Sequence, residues 1–345
     1  MDLRRRLMAN NVGSALSTLL TSGQTFYAPF ADKGSGEVSL VASGAGASQS
    51  PTFTRATTAT TVNSAGLIVS VASGTARSYY DPTTLAYRGY LAEGARTNLV
   101  LNSLIDGTDF STQSVTVTAV AHTLSFYGTG TITLSGVSTS GPLVGTGAYP
   151  QRVSLTFTPT AGSLTLTVTG SCKFVQLEVG SFASSFIPTA GVAVTRNADV
   201  LTYPFSGNAS ASVGSAYAEL STQWTTSGAS AAVSFSAGEA CLWCPATVAD
   251  TTIRILDGVN SGIKTGLTNM STASRKRASS WGGSTISVTG DGAAVASNSF
   301  DGGMGSTSIG IGNLTDGSTN WFGTIRNVRI YQTQLSSAQL QAVTA

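Results

Sequence analysis

The chain is predicted to be all-β: two tandem β-sandwich (jelly-roll) domains, preceded by a short N-terminal helix and a small β region. Three observations lead there. Apolar residues make up 41% of the 345 residues, but Asp, Glu, Lys and Arg only 10%, against roughly 25% in ordinary soluble domains. The missing polarity is supplied by Ser, Thr and Gly. Thr and Val suit strands, while Gly and Ser suit turns. Runs of strict apolar/polar alternation also recur along the chain, punctuated by Gly, Pro and Ser. The length accommodates two or three domains with sizeable cores.

Residues 1–22 form the helical candidate. Leu3, Leu7, Val12, Leu16, Leu19 and Leu20 fall loosely on a 3.6-residue period, Arg4, Arg5 and Arg6 lie off that stripe, and Gly23 is a stop. Such a helix either packs on its own domain or serves as an anchoring or oligomerising segment through Leu3, Arg4, Arg5, Arg6 and Leu7. Residues 23–103 read as a β-rich segment leading into the first sandwich. Its best strands are 51–56 and 67–71, with a turn at 63–66. Arg77, Asp81, Arg88, Glu93 and Arg96 are a dense charge group for so neutral a chain. They read as interlocking salt bridges that fix a loop, with a binding role as the alternative.

Residues 104–190 form the first sandwich. The runs 115–120, 131–134, 151–158 and 164–168 alternate Thr or Ser with aliphatic residues, which puts one face in a core and a hydroxyl-rich face in water. Residues 191–345 form the second. Strands are expected at 216–224, 232–235, 252–255 and 284–289, the last entering a Gly290-Asp291-Gly292 turn. A cleanly alternating strand at 322–331 precedes a short helix capped by Ser336.

The ordered series TFTRATTAT at 52–60, GLI at 66–68, RSYYDP at 77–82 and RGYLAEGARTNLVLNS at 88–103 is one distinctive block. The junction FVQLEVGSFASSFIPTAGVAVTRNADVLTY at 174–203 is another, and GTIRNVRIY at 323–331 followed by LSSAQL at 335–340 is a third. Together these segments resemble bacteriophage tail-fibre and virion structural proteins, in which a carbohydrate-binding-like sandwich is followed by a concanavalin A-like (LamG-like) jelly roll. The sequence departs from the pattern after Phe110, where the usual tryptophan is absent. The resemblance implies a virion protein assembled in a host cytoplasm and released by lysis. Its expected partners are other virion subunits, further copies of itself in a homotrimer, and host-surface polysaccharide. The expected role is adhesion without catalysis. A head-decoration or tail-assembly protein making only protein contacts is the alternative, and a polysaccharide depolymerase a third reading.

The residues themselves announce no chemistry. His122 is the sole histidine and stands in a strand-like run without a nucleophile elbow. No paired-carboxylate motif for glycoside hydrolysis appears, nor a phosphate loop. Cys241 and Cys244 make a CxxC with no second pair to complete a zinc tetrahedron, and with Cys172 they form no disulfide framework. No cofactor is expected. Calcium is a candidate ion at Asp291, Asp301 and Asp316 in Gly-rich loops of the second sandwich, where plain turn roles are the alternative. Trp281 and Trp321 are candidate sugar platforms, with core packing as the alternative. A net charge of +2 gives no pull on nucleic acid. No apolar run reaches the roughly 18 residues of a membrane span, and the N-terminus is too polar for a signal-peptide core.

Overall fold

The computed structural model describes residues 23–43, 50–222, 230–244, 251–271, 273–305 and 307–345. The expected N-terminal helix, with Leu3, Arg4, Arg5, Arg6 and Leu7, lies outside the described residues. What is described is almost wholly antiparallel β-structure with one short C-terminal helix, in two sandwiches.

The first sandwich spans Gln113–Val117 to Cys172–Val179. One sheet has four strands, ordered Gln113–Val117, Gly162–Thr169, Thr131–Gly136 and Leu143–Val144. The other has three: Gly147–Phe157, His122–Gly128 and Cys172–Val179. Alternation decides which side chains go in. Leu124 and Phe126 from the central strand and Val175 and Leu177 from the edge strand meet Ile132, Leu134, Leu164 and Leu166 in one buried cluster. Burying aliphatic and aromatic side chains at roughly 25 cal/mol per Å² is the main force closing the two sheets.

The second sandwich packs a ten-stranded sheet on a seven-stranded one. Its core draws on Phe26, Tyr90, Tyr203, Val233, Ile255, Trp281 and Ile325. Strands from both sides of the first sandwich build it. Tyr87–Ala92 and Gln24–Ala28 both pair with the closing strand Gly323–Tyr331, and Thr52–Thr54 pairs with Val200–Pro204. Most strands of residues 23–92, part of the 23–103 segment expected as a lead-in to the first sandwich, therefore hydrogen-bond into the sheets of the second, while Ala59–Val62 and Ile68–Val71 pair only with each other. The first sandwich is an insertion between two parts of the second. Neighbourhood in sequence does not reveal a ladder between strands more than 200 residues apart.

The C-terminal helix α1, Ser337–Thr344, starts where Ser336 predicts. The Ser336 side chain accepts from the Gln339 backbone and the Gln339 side chain from the Ser336 backbone, a reciprocal cap that satisfies two otherwise orphaned donors. Leu340 and Val343 then pack with Tyr217, Ala278 and Tyr331 on the outer face of the larger sheet.

Candidate functional site

Where insertion meets host, a buried ion network fixes the chain. Arg55, Arg77 and Arg196 converge on Glu93 and Asp199, all five side chains fully buried. Glu93 pairs with Arg77 and with Arg196 at 2.9 Å each. Asp199 pairs with Arg55 at 2.9 Å and also holds Arg77. Glu178, buried close to Arg196, brings the count to three carboxylates against three guanidinium groups. Burial alone would raise the Glu93 carboxyl. Arg196, Arg77 and two hydrogen bonds from Ser185 outweigh it and hold the group down at about 2. The arginines also donate to backbone carbonyls of three separate segments: Thr60, Ala72 and Gly94. Of the charge group read from the sequence, Arg77 and Glu93 sit in this network, and Arg88 pairs with Asp81 at 2.9 Å nearer the surface. Arg96 instead lies over the rings of Phe182 and Phe322, 5.0 and 4.7 Å from their centroids.

The network positions a groove. One wall is the outward face of the three-stranded sheet of the insertion. Alternation turns Tyr127 on the central strand and Arg152, Ser154 and Thr156 on its neighbour away from the core and into the groove. The facing wall is the hairpin Ala59–Val62 and Ile68–Val71, with Tyr79 and Pro82 beside it. The floor is residues 181–186, tied down by Ser185 on Glu93 and by Ser184 on Glu178. The cavity holds about 400 Å³. Hydroxyls, half-buried rings and one cation line it, the mixture of apolar surface and few polar groups that small-molecule sites share.

Beyond Tyr127 lies a second cavity of about 300 Å³, lined by Tyr127, Tyr149, Lys173 and Phe174. It owes its shape to a β-bulge. Cys172 and Val175 both point into the core, so Lys173 and Phe174 between them both face outward, and the pairing shifts register opposite Phe126. Phe174 takes the strained φ of +51° there, the local kink that bulges introduce. The extra outward ring completes an aromatic cluster. Tyr127 lies 5.1 Å from Tyr149 and 5.9 Å from Phe174, and Phe174 lies 5.2 Å from Phe186. Burial and the nearby Tyr127 and Asp81 push the Tyr149 hydroxyl up, so it stays a donor. Its oxygen is buried and has no hydrogen-bond partner among the described residues.

No protein-family profile matches the chain, and no curated protein matches it. Among solved structures, the carbohydrate-binding module CBM40 of the Ruminococcus gnavus IT-sialidase is similar over 42% of this chain and 92% of that one, at 13% identity and a TM-score of 0.29. A candidate carbohydrate-binding protein from Bacteroides ovatus is similar over 71% of this chain and 84% of that one, at 11% identity and a TM-score of 0.34. Domains LG4-5 of the mouse laminin alpha1 chain are similar over 72% and 91%, at 10% identity and a TM-score of 0.25. Likenesses this loose carry no functional weight.

The residues singled out from sequence lie elsewhere. Trp281 is not in a loop. It sits in the strand Arg275–Gly282, fully buried, with its ring 5.3 Å from Phe235 and its Nε1 donating to the Ser210 carbonyl. Trp321 is equally buried, and its Nε1 donates to the Ser221 carbonyl. Neither ring presents a face to a sugar, because both fill the space between the two large sheets. Asp291, Asp301 and Asp316 are not brought together. Asp291 pairs with the buried Arg277 and accepts from the Thr268 backbone. Asp301 accepts from Gly303, and Asp316 from Ser318. These are turn roles, and no group of three or more metal-binding side chains occurs among the described residues. His122 is buried, with Nδ1 at 2.8 Å from the Val120 carbonyl. All three cysteines are buried thiols, with no disulfide among them. Tyr127, Tyr149 and Arg152 were passed over. The alternation of 151–158, read as a face in water and occupied instead by the groove, signals Arg152 alone; Tyr127 and Tyr149 lie outside the alternating runs.

Proposed function

We propose that this chain is a virion structural protein of a bacteriophage, of the tail-fibre or appendage kind, which adheres to a host-surface glycan without catalysis. The observation that carries the glycan reading is the groove at Tyr127. Sugar rings offer C–H faces that pack on aromatic rings and hydroxyls that need hydrogen-bond partners. The groove supplies both, with the half-buried rings of Tyr79 and Tyr127 beside Ser154 and Thr156. The phage assignment rests on the segments at 52–103, 174–203 and 323–340. The absence of any carboxylate among the described lining residues of either cavity speaks for binding over hydrolysis, which uses a carboxyl pair.

A purely architectural role has one feature in its favour. Leu104, Ile105 and Val192 expose apolar surface near Pro188 and Val194 on the junction, which suits contact with another subunit. Screening the purified chain on an array of bacterial surface glycans separates the two. The glycan reading expects a bound glycan whose affinity falls about 3- to 10-fold in Tyr127→Ala, the worth of one aromatic contact. An array with no bound glycan, or a Tyr127→Ala variant that binds as well as wild type, refutes it. Release of reducing ends from a bound polysaccharide would establish the enzyme instead.

A further inference from the structure

We propose that the groove takes an anionic oligosaccharide, whose rings run along Tyr127 and whose acid group is held by Arg152 and Lys173. This rests on the glycan reading and narrows it to a ligand class. The two cavities share Tyr127, so a ligand long enough to fill both crosses that ring. One cation stands on each side of the ring.

Arg152 faces Tyr127 across the strand pair, with its guanidinium carbon 5.8 Å from the ring centroid. Its Nη1 donates to the Ser184 carbonyl at 2.7 Å and its Nη2 to the Ser125 hydroxyl at 2.8 Å. Both partners are neutral. Its Nε is buried with no partner, and no carboxylate pairs with it among the described residues. The buried arginines of the adjacent network, Arg55, Arg77 and Arg196, are all matched with carboxylates. Arg152 is half-buried and makes no direct ion pair among the described residues, the carboxylate of Glu178 being reached only through Ser184, and an incompletely balanced charge away from water is costly. An anion in the groove would supply the balance.

Lys173 pairs with Tyr127 on the other side. It is thrown outward with Phe174 by the bulge, is exposed, and makes no ion pair among the described residues. Of the acidic groups nearby, Asp81 is ion-paired, while Asp106 and Asp109 accept from neutral donors. Asp81, beside Tyr79 and Tyr149, is paired with Arg88 at 2.9 Å. Asp106, which feels Lys173, accepts from the backbone and hydroxyl of Thr108. Each cavity thus has one cation and no carboxylate among its described lining residues, and a cation so placed favours an acidic ligand.

The test is calorimetric titration of the full chain with a uronic-acid trisaccharide, its carboxyl-reduced neutral counterpart, and a sulfated trisaccharide. At least one acidic sugar is expected to bind about tenfold or more tightly than the neutral one. That advantage should shrink as salt rises from about 0.05 to about 0.5 M, and should be lost in Lys173→Glu, whose exposed side chain leaves the melting temperature unchanged. Arg152→Lys keeps the charge but not the planar fork, and should retain part of the advantage. Equal binding of neutral and acidic sugars overturns the proposal and leaves the glycan reading standing. An acidic advantage that survives Lys173→Glu in full overturns it too. Binding of none of the three, where an array glycan binds, overturns it without touching the broader reading.

Discussion

Replacing Glu93 by glutamine probes the junction most sharply, because it removes one charge from a balanced buried set with little change of shape. Wild type matches three guanidinium groups with three carboxylates. Glu93→Gln leaves Arg77 sharing Asp199 and Arg196 without its partner at 2.9 Å. The magnitude follows from how far the network depresses the acid. Its ordinary value of 4.5 falls to about 2 in the fold, and at 1.36 kcal/mol per pH unit this corresponds to about 3 kcal/mol. Breaking a buried pair by removing one partner generally costs about 3–5 kcal/mol, even where replacing the whole pair with apolar groups would be neutral. A loss of about 3 kcal/mol by urea unfolding at pH 7 is therefore expected. The pH dependence carries its own sign. The folded pKa lies below the unfolded one, so the contribution is complete above about pH 5 and disappears as pH falls toward about 2. The stability gap between wild type and Glu93→Gln should stay flat from pH 8 to about 5 and close below that. A loss under about 1 kcal/mol, or a gap that widens in acid, would show that Glu93 does not carry the charge balance of the network.

Trp281→Ala should cost about 3–5 kcal/mol, as large aromatic truncations in cores do, and a melting curve within a degree or two of wild type would contradict its placement. Cys172, Cys241 and Cys244 should give no rapid reaction with an aromatic disulfide reagent in the native chain and three equivalents after unfolding, since all three thiols are buried. One fast equivalent in native buffer would show that a thiol is open.

Alternation and turn residues made the strands legible. The Thr-rich runs of the insertion, the Gly290-Asp291-Gly292 turn, the closing strand and the Ser336 cap all follow from local propensity. The salt-bridging of Arg77 with Glu93 and Arg88 with Asp81 was readable because those pairs lie within about one hairpin of each other. Arg55, Arg196 and Asp199 were not, since they join the network across 100 residues or more of chain and nothing local marks them. Trp281 was misread for a related reason. This chain builds its buried strands from Ser, Ala and Gly as well as aliphatics, so a tryptophan flanked by Ser280 and Gly282 looks like a loop residue while standing in a ladder. Arg152 belongs to a face that alternation places outside the core, and Tyr127 shares it through the strand pairing. That this face is covered by the 59–71 hairpin depends on the insertion folding back against strands from the start of the chain.

The groove between the insertion and the 59–71 hairpin is the proposed ligand site. Difference density from crystals soaked in the best-binding array glycan tests it most directly. Sugar rings lying along Tyr127, between Arg152 and Lys173, are the predicted result. A glycan bound on any other surface, with the groove at Tyr127 unfilled, would contradict the account.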